Sequence, residues 1–354
     1  VTVRGLLKDA RFQSPSHAVS VASTPEVAII DLSGNPVMDR DFVLEAQASV
    51  SGSCSALVAP DLDGWVAQAS FCPEIQGSGQ HERRSIKILV DCSGSMSGDS
   101  IAQAREALNR ILDSLHEDDL FDVLAFGNDC RALFDKETPV SETAISQAKQ
   151  FVRTLDADMG GTEIGQALKA AYRIESAGGL PRDLLIITDG EVWDQDDVIS
   201  SAKSSGHRIF TVGVGSAVAE GLVRGLADVT GGACELVAPS EDMATRIHRH
   251  FQRMYAPRAD NVSIRWPEGV LRSQPKNVRT IFGGDTLHVF AWFKEKPAGV
   301  VSLDVTLSDG HTVTNEAEVP PDPASNEASP CTLARLGAAN TLLDTDNEQE
   351  ATQV

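Results

Sequence analysis

Between Ile86 and Tyr255 the chain alternates short apolar runs with amphipathic helical patterns, and no other feature restricts its fold as much. The runs are IKILV (86–90), LFDVLAF (120–126), LLIIT (184–188), IFTVGVG (209–215) and CELVA (234–238). Over residues 100–115, Ile101, Ala104, Leu108, Ile111, Leu112 and Leu115 recur at helical spacing. Further helical patterns cover 141–155, 162–176 (Ile164, Leu168 and Ala171 in register), 195–205, 219–229 and 241–255. Near-continuous apolar strands are buried on both faces, and strands alternating with helices take parallel neighbours. The pattern predicts an α/β fold, a doubly wound, mostly parallel sheet with helices on both sides.

The flanks read differently. In residues 1–83, AVSVAS, EVAIIDL, DFVLEAQASV, SALVAP and WVAQASF are short β-type runs, with SGNP and DLDG as turns. From Asn261 a period of two returns: Val262, Ile264 and Trp266, then Leu287, Val289, Ala291 and Phe293, then Val301, Leu303, Val305 and Leu307. SDGH (308–311) suits a hairpin turn. Each segment has too few strands to cover its own faces and edges. The expectation is therefore a β segment over 1–83, an α/β domain over 84–258, and a second β segment over 259–320 that packs on the first. VPPDPASNEASP (319–330) reads as a linker, and Leu333, Leu336 and Leu343 outline a short helix within 321–354.

Acidic residues outnumber basic ones 51 to 30, a net charge of −21. Such a surface repels nucleic acid and anionic lipid and attracts cations. No apolar run approaches the roughly 18 residues of a membrane span. The six cysteines lack CxxC spacing, which argues against a zinc site and a disulfide scaffold. Cys92 and Cys234 fall in strand-like runs and are expected to be small buried residues, while a Cys54–Cys72 bridge across a hairpin stays open. The opening VTVRGLL carries neither an initiator Met nor a signal peptide, so the chain is expected to be a fragment.

Ligands of open α/β sheets sit beyond the carboxyl ends of the strands. One run ends in Asp91-Cys92-Ser93-Gly94-Ser95 and another in Thr188-Asp189-Gly190. MGGTE (159–163) places Thr162 behind two glycines at a helix start. Asp91, Ser93, Ser95, Thr162 and Asp189 thus form an oxygen-only set suited to hard, oxygen-seeking Mg²⁺, or Mn²⁺. Ser93 and Ser95, two apart on an extended loop, reach the same side. Three neutral hydroxyls leave an ion under-neutralised, with a position for an outside carboxylate.

These motifs, D-x-S-x-S, Gly-Gly-Thr and T-D-G, resemble the metal-ion-dependent adhesion site (MIDAS) of the von Willebrand factor type A (VWA) domain, over about residues 84–258. The resemblance implies a Rossmann-like sheet and a non-enzymatic protein-binding or adhesion module. In it Ser93, Ser95 and Thr162 would be direct or near-direct ligands of Mg²⁺, and Asp91 and Asp189 would act directly or through water. A protein partner would supply an acidic side chain. SPSHAVSV (14–21) and MDRDFVLEA (38–46) are similar to the VIT domain that precedes the A domain in inter-alpha-trypsin inhibitor heavy chains and their bacterial relatives; LARLGAANTLL resembles that family's continuation. That likeness favours a secreted or cell-surface setting.

Other readings remain beside this one. Asp91 and Ser93 alone suit a helix N-cap, as does Thr162. The acidic run EVWDQDD (191–197) suits a solvated loop, or Glu191, Trp193 and Asp194 help select the partner; Asp39, Arg40 and Asp41 suit local ion pairs. G-x-S-x-G, H-E-x-x-H and the P-loop motif are absent. Two alternatives are an intracellular adaptor of an AAA+ ATPase and a metal-dependent hydrolase with Glu163 or Glu191 as general base.

Overall fold

The computed structural model describes all residues except 5–6, 26, 35–36, 38–41, 48–51, 63, 76–80, 175–177, 191–194, 216–217, 239–240, 277, 279, 308–309, 322–331 and 344–354. Asp39, Arg40, Asp41, Glu191, Trp193, Asp194, Cys331, most of the expected linker and the tail therefore lie outside the described residues. The chain divides into two compact units, 77–256 and 1–76 with 257–354.

In the first unit the strands are β1 (Ser85–Asp91), β2 (Leu120–Phe126), β3 (Cys130–Ala132), β4 (Arg182–Thr188), β5 (Arg208–Val214) and β6 (Cys234–Val237). The helices are α1 (Asp99–Ser114), α2 (Glu142–Thr154), α3 (Ile164–Arg173), α4 (Gln195–Ser204), α5 (Glu220–Thr230) and α6 (Met243–Gln252). The sheet order is β3-β2-β1-β4-β5-β6, with Thr138–Pro139 also paired to β2. Only β3 and Thr138–Pro139 run antiparallel. Every residue of β1, β2 and β5 is buried, as continuous apolar runs require of strands covered on both faces. On one face Leu89, Leu124 and Ile186 pack with Ile164 and Leu168 of α3, Ala202 of α4 and Leu222 of α5. On the other, α1 lies between α2 and α6. The order reverses between β1 and β4, the switch point where such sheets bind ligands.

Two buried carboxylates organise the amino-terminal edge of this sheet. Asp119 accepts from the backbone N–H of Arg84 (2.9 Å) and the hydroxyl of Tyr255 (2.7 Å), and meets His81 Nε2 at 3.0 Å. Asp183 takes two bonds from Arg208, each 2.7 Å, and one from Arg84 at 3.2 Å. The start of β1 is thereby tied to the segment that follows α6.

Burial makes the unit's stability depend on pH. It pushes His207 down to about 4 and His250 down to about 3, so both stay neutral in the fold. It pushes Asp122 up to about 6. As pH falls below 6.5, the unfolded chain protonates its histidines while the folded chain does not, and stability is lost at roughly 1.4 kcal/mol per proton per pH unit. Asp122 opposes this, because between about 6 and 3.8 the folded carboxyl takes a proton that the unfolded one refuses. Asp91 and Asp189, also raised by burial, act in the same direction as Asp122, so the histidine contribution is read from its own variant. Urea melts should show the native chain losing more, or gaining less, stability than His207→Gln between pH 6.5 and 4; equal pH slopes in the two would contradict this.

Among its described residues the second unit is mainly β, with one α-helix. Strands Cys54–Asp61, Gly64–Phe71, Leu287–Phe293 and Val270–Gln274 form a four-stranded sheet in that order. Its central pairing, Phe71 opposite Leu287 through Trp65 opposite Phe293, joins the amino-terminal and carboxyl-terminal segments by backbone hydrogen bonds. A three-stranded sheet of Asn261–Arg265, Val300–Thr306 and Thr312–Glu318 packs on it through Val58, Phe71, Val289, Val301, Leu303 and Val305. The alternating sequence pattern supplies this core. A small sheet of Thr2–Arg4, Val27–Leu32 and Val19–Ser23 shelters Ala28 and Ile30 with Phe12.

The helix Thr332–Leu343 lies on the outer face of the four-stranded sheet, with Leu333 against Ala59, Val66, Phe290 and Trp292. Its face differs from the expected one. Leu336 is 52% exposed, and Leu333, Gly337 and Thr341 point inward at intervals of four. Gly337 is used because a Cβ there would approach Trp292 to 2.7 Å. Among the described cysteines all five are free, so Cys54 and Cys72 are not bridged. Cys92 is buried, whereas Cys234 is only partly so because β6 is an edge strand. No helix among the described residues is long and apolar enough to cross a membrane.

Candidate functional site

The carboxyl ends of β1 and β4 place Asp91 and Asp189 side by side across the switch point. Asp91, at the last position of β1, is fully buried. One of its oxygens accepts from the Ser93 backbone N–H (2.9 Å), and the other from the Thr188 hydroxyl (2.6 Å). The first bond turns the chain sharply after the strand, which brings both serine hydroxyls back over the sheet. Ser93 Oγ lies 3.0 Å from Ser95 Oγ, and Ser95 donates to Asp189 Oδ1 at 2.8 Å. A hydrogen-bonded chain therefore runs from Asp91 through the Ser93 backbone N–H, and from the Ser93 hydroxyl through Ser95 to Asp189. Ser93 is buried and Ser95 exposed, so the chain leads from the interior to solvent.

Thr162 arrives from a second loop. The Gly94 N–H donates to the Gly160 carbonyl (2.9 Å) and the Met159 N–H to the Cys92 carbonyl (3.0 Å), which docks 159–162 against the β1 loop. Gly160 has φ +83° and leaves no room for a Cβ beside the Asn128 amide, 2.3 Å away. Asn128 in turn accepts from the Gly161 N–H at 2.8 Å. On its other side Thr162 abuts Gly190, where a Cβ would lie 2.6 Å from Thr162 Cγ2 and 2.9 Å from its Oγ1. Thr162 is not a helix cap. Glu163 holds the cap position of α3, without a side-chain cap bond, and Ser93 makes none either. Glu163 is exposed.

Burial holds both carboxyl groups above the ordinary carboxylate range. For Asp91, hydrogen bonds from Ser93 and Thr188 offset part of that rise; for Asp189, the Ser95 bond opposes it and the Asp91 charge adds to it. No cation among the described residues contributes to either shift, so this pair of neighbouring carboxylates is short of positive charge. Among the described residues, no group of three or more His, Cys, Asp or Glu side chains is disposed to hold a metal. Hydroxyls make up the majority of donors in this cluster, and an all-oxygen set of this kind suits Mg²⁺ or Mn²⁺ rather than a thiophilic metal.

The sequence pattern contained Thr188 and Gly190 in its T-D-G run but gave them no role, and it missed Asn128. Nothing in sequence marks Asn128, whose role depends on a loop more than 30 residues away. Gly190 yields a direct expectation. Gly190→Ala pushes Thr162 off its position, so Mn²⁺ affinity measured by calorimetry should drop about ten-fold with the circular dichroism spectrum kept; unchanged affinity would show that Thr162 does not serve the site.

The fold and this cluster define a class, the open α/β domains that carry an oxygen-rich site at the switch point of the sheet. The family model of the von Willebrand factor type A domain matches residues 84–236, and the α/β unit is such a domain. A von Willebrand factor A domain-containing protein of Dictyostelium discoideum is 32% identical over 300 residues, 82% of this chain and 36% of its own length. The human von Willebrand factor A domain-containing protein 5A is 31% identical over 301 residues, 79% of this chain and 38% of its own. The chain thus spans little more than a third of the length of these curated relatives. Among solved structures, a von Willebrand factor type A protein from Catenulispora acidiphila superposes with a TM-score of 0.50 and 17% identity, covering 80% of this chain and 75% of that one; the likeness is one of fold.

Proposed function

We propose that the α/β unit is a non-enzymatic, metal-dependent protein-binding module of the MIDAS type. The supporting observation is the hydrogen-bonded set Asp91, Ser93, Ser95 and Asp189, with Thr162 packed against Gly190, the residue after Asp189. In this reading Ser93, Ser95 and Thr162 supply hydroxyl ligands to Mg²⁺ or Mn²⁺. Asp91 and Asp189 neutralise the ion and orient the serines by the hydrogen bonds described. When bound, the ion offers an electrophilic position that a carboxylate of a partner protein fills. Ser95 is exposed and Asp189 half-buried, so the partner approaches from the Ser95 end. Adhesion or complex assembly is the role, and the β unit is its VIT-like support, in keeping with the resemblance to inter-alpha-trypsin inhibitor heavy chains.

The hydrolase alternative fares less well, because Glu163, the described candidate base, sits at the helix cap and lies outside the hydrogen-bonded oxygen chain. The deciding experiment is calorimetric titration of the chain with Mg²⁺ and Mn²⁺, alone and with excess acetate as a carboxylate probe. Binding that acetate strengthens is expected. No heat under either condition would rule out the metal-dependent reading.

A further inference from the structure

Lys87 is the anomaly of the central strand. It stands in the middle of IKILV, fully buried, where both neighbours on the strand are isoleucine. Its Nζ donates to the carbonyl of Ile174 at 3.0 Å, lies 3.2 Å from His207 Nε2, and pairs with Glu137 at 3.6 Å. Ile174 is the C-cap residue of α3, so the ammonium answers one of the carbonyls that a helix end leaves unbonded and faces the negative end of the helix dipole. The His207 ring accepts here because it is held neutral by burial, its other nitrogen bonding the Ser205 carbonyl at 3.2 Å.

The same helix begins two residues after Thr162. Lys87, Leu89 and Asp91 alternate onto one face of β1, and from Lys87 to Asp91 the strand rises about 13 Å. The ten residues of α3 measure about 15 Å. Helix and strand segment match in length and are joined at both ends. At one end the Cys92 and Gly94 backbone holds Met159 and Gly160; at the other Lys87 holds Ile174. Between them the Glu163 N–H donates to the Gly127 carbonyl (3.0 Å), the Tyr172 ring meets that of His207, and apolar contacts put Leu89 in one cluster with Ile164, Ala167, Leu168 and Ala171. The apolar contacts are non-directional, and small alanines give shallow ridges, so they fix the distance of α3 from the sheet better than its position along its own axis. The polar fixings set that axial position.

Building on the metal-site reading, we propose that Lys87 is a positioning residue for Thr162: by anchoring the carboxyl end of α3 it sets the height of Thr162 over Ser93 and Ser95. Sliding of the helix by a fraction of a turn would carry the Thr162 hydroxyl out of reach of an ion held by the serines.

A double-mutant cycle tests this with Mn²⁺ as the probe. Lys87→Met, close in length, should weaken Mn²⁺ binding about ten-fold by calorimetry, and Thr162→Val should weaken it at least as much. In the Thr162→Val background, Lys87→Met should change affinity less than two-fold, because the residue it positions is gone. A merely structural role predicts the same penalty in both backgrounds, and that result, or native affinity in Lys87→Met, overturns the proposal. Since Lys87→Met leaves Glu137 without its cation, Lys87→Met with Glu137→Gln replaces it if the single variant does not fold. The methyl resonance of Thr162 in the ion-free chain supplies the readout independent of metal. It should move in the Lys87 variant, and an unmoved resonance overturns the proposal. If the native chain binds no Mn²⁺ yet the resonance moves, the metal reading fails and the positioning of Thr162 by Lys87 stands.

Discussion

Replacing Asp183 with alanine should cost the α/β unit about 3–5 kcal/mol, the largest loss expected from any single polar deletion in it. The carboxylate is 1% exposed and takes the Nε and Nη2 of Arg208 in a two-point grip, with Arg84 added at 3.2 Å. Arg208 is itself buried, with its guanidinium over the Phe210 ring and one further bond to the Met254 carbonyl. With Asp183 gone, a full positive charge stays in the interior with a single carbonyl for company. That stranded charge, rather than the lost attraction, dominates the cost. Domains are commonly stable by only about 5–15 kcal/mol, so the variant should sit near its unfolding midpoint at moderate temperature. Asp183→Asn keeps one acceptor and should fall between. Hydrogen exchange of amides in β1 and β4 reads this unit separately from the other, which a global melt of a two-unit chain does not. A loss below about 1 kcal/mol would mean that water reaches Arg208.

Asp91→Asn should have effects of opposite sign on binding and on stability. Affinity for Mn²⁺ should fall by at least about 100-fold, more than is usual for an outer-shell change, because the substitution removes a charge the ion needs. The ion-free chain should melt no lower than the native one. Burial raises the Asp91 carboxyl above its ordinary range, which means that the ion-free fold carries an unfavourable buried charge, and the neutral amide relieves it. The retained Oδ1 still accepts from the Ser93 N–H, and the Thr188 hydroxyl, which loses Oδ2 as its acceptor, can accept from the new amide N–H instead. The same raised pKa values predict that protons compete with the ion. Binding should weaken as pH falls, starting above the ordinary carboxylate range, since both Asp91 and Asp189 are held high. A variant that binds Mn²⁺ normally, or one that loses binding only because it unfolds, would falsify a functional role for this carboxylate.

Such a pairing of costs is what a binding site asks of its scaffold. Two buried carboxylates near the amino-terminal edge are matched, Asp183 by two arginines and Asp119 by a backbone N–H, a tyrosine and a histidine, whereas Asp122 on β2 keeps one oxygen without a hydrogen-bond partner among the described residues. At the carboxyl edge the partners of the two carboxylates among the described residues are hydroxyls and backbone N–H groups. On the metal-site reading, Asp183 and Asp119 have their partners within the fold, while the pair at the carboxyl edge would gain from a cation.

The alternation that predicts the sheet was legible because burial on both faces imposes a continuous apolar run, a constraint each strand carries within its own few residues. Helix α2, expected over 141–155, spans Glu142–Thr154, and α5, expected over 219–229, spans Glu220–Thr230. The reading failed where burial is partial or a partner distant. Strand β3 is three residues of mixed exposure and shows no period. The carboxyl-terminal helix buries Gly337 and Thr341 instead of Leu336, because a tryptophan more than forty residues earlier takes up the space a larger side chain would fill.

What the amino-acid sequence determined alone is the class of the sheet and the placing of Asp91, Ser93, Ser95, Thr162 and Asp189 at strand ends or helix starts. Periodicity and turn chemistry are local, and both can be read a few residues at a time. Tertiary structure alone decided the pairing of Gly64–Phe71 with Leu287–Phe293, the docking of the 159–162 loop on the β1 turn, and the anchoring of α3 by Lys87. Those contacts join backbone groups and single polar atoms across tens to hundreds of residues. A hydrogen bond to a distant carbonyl leaves no periodic trace in either partner, so only the folded chain reveals it.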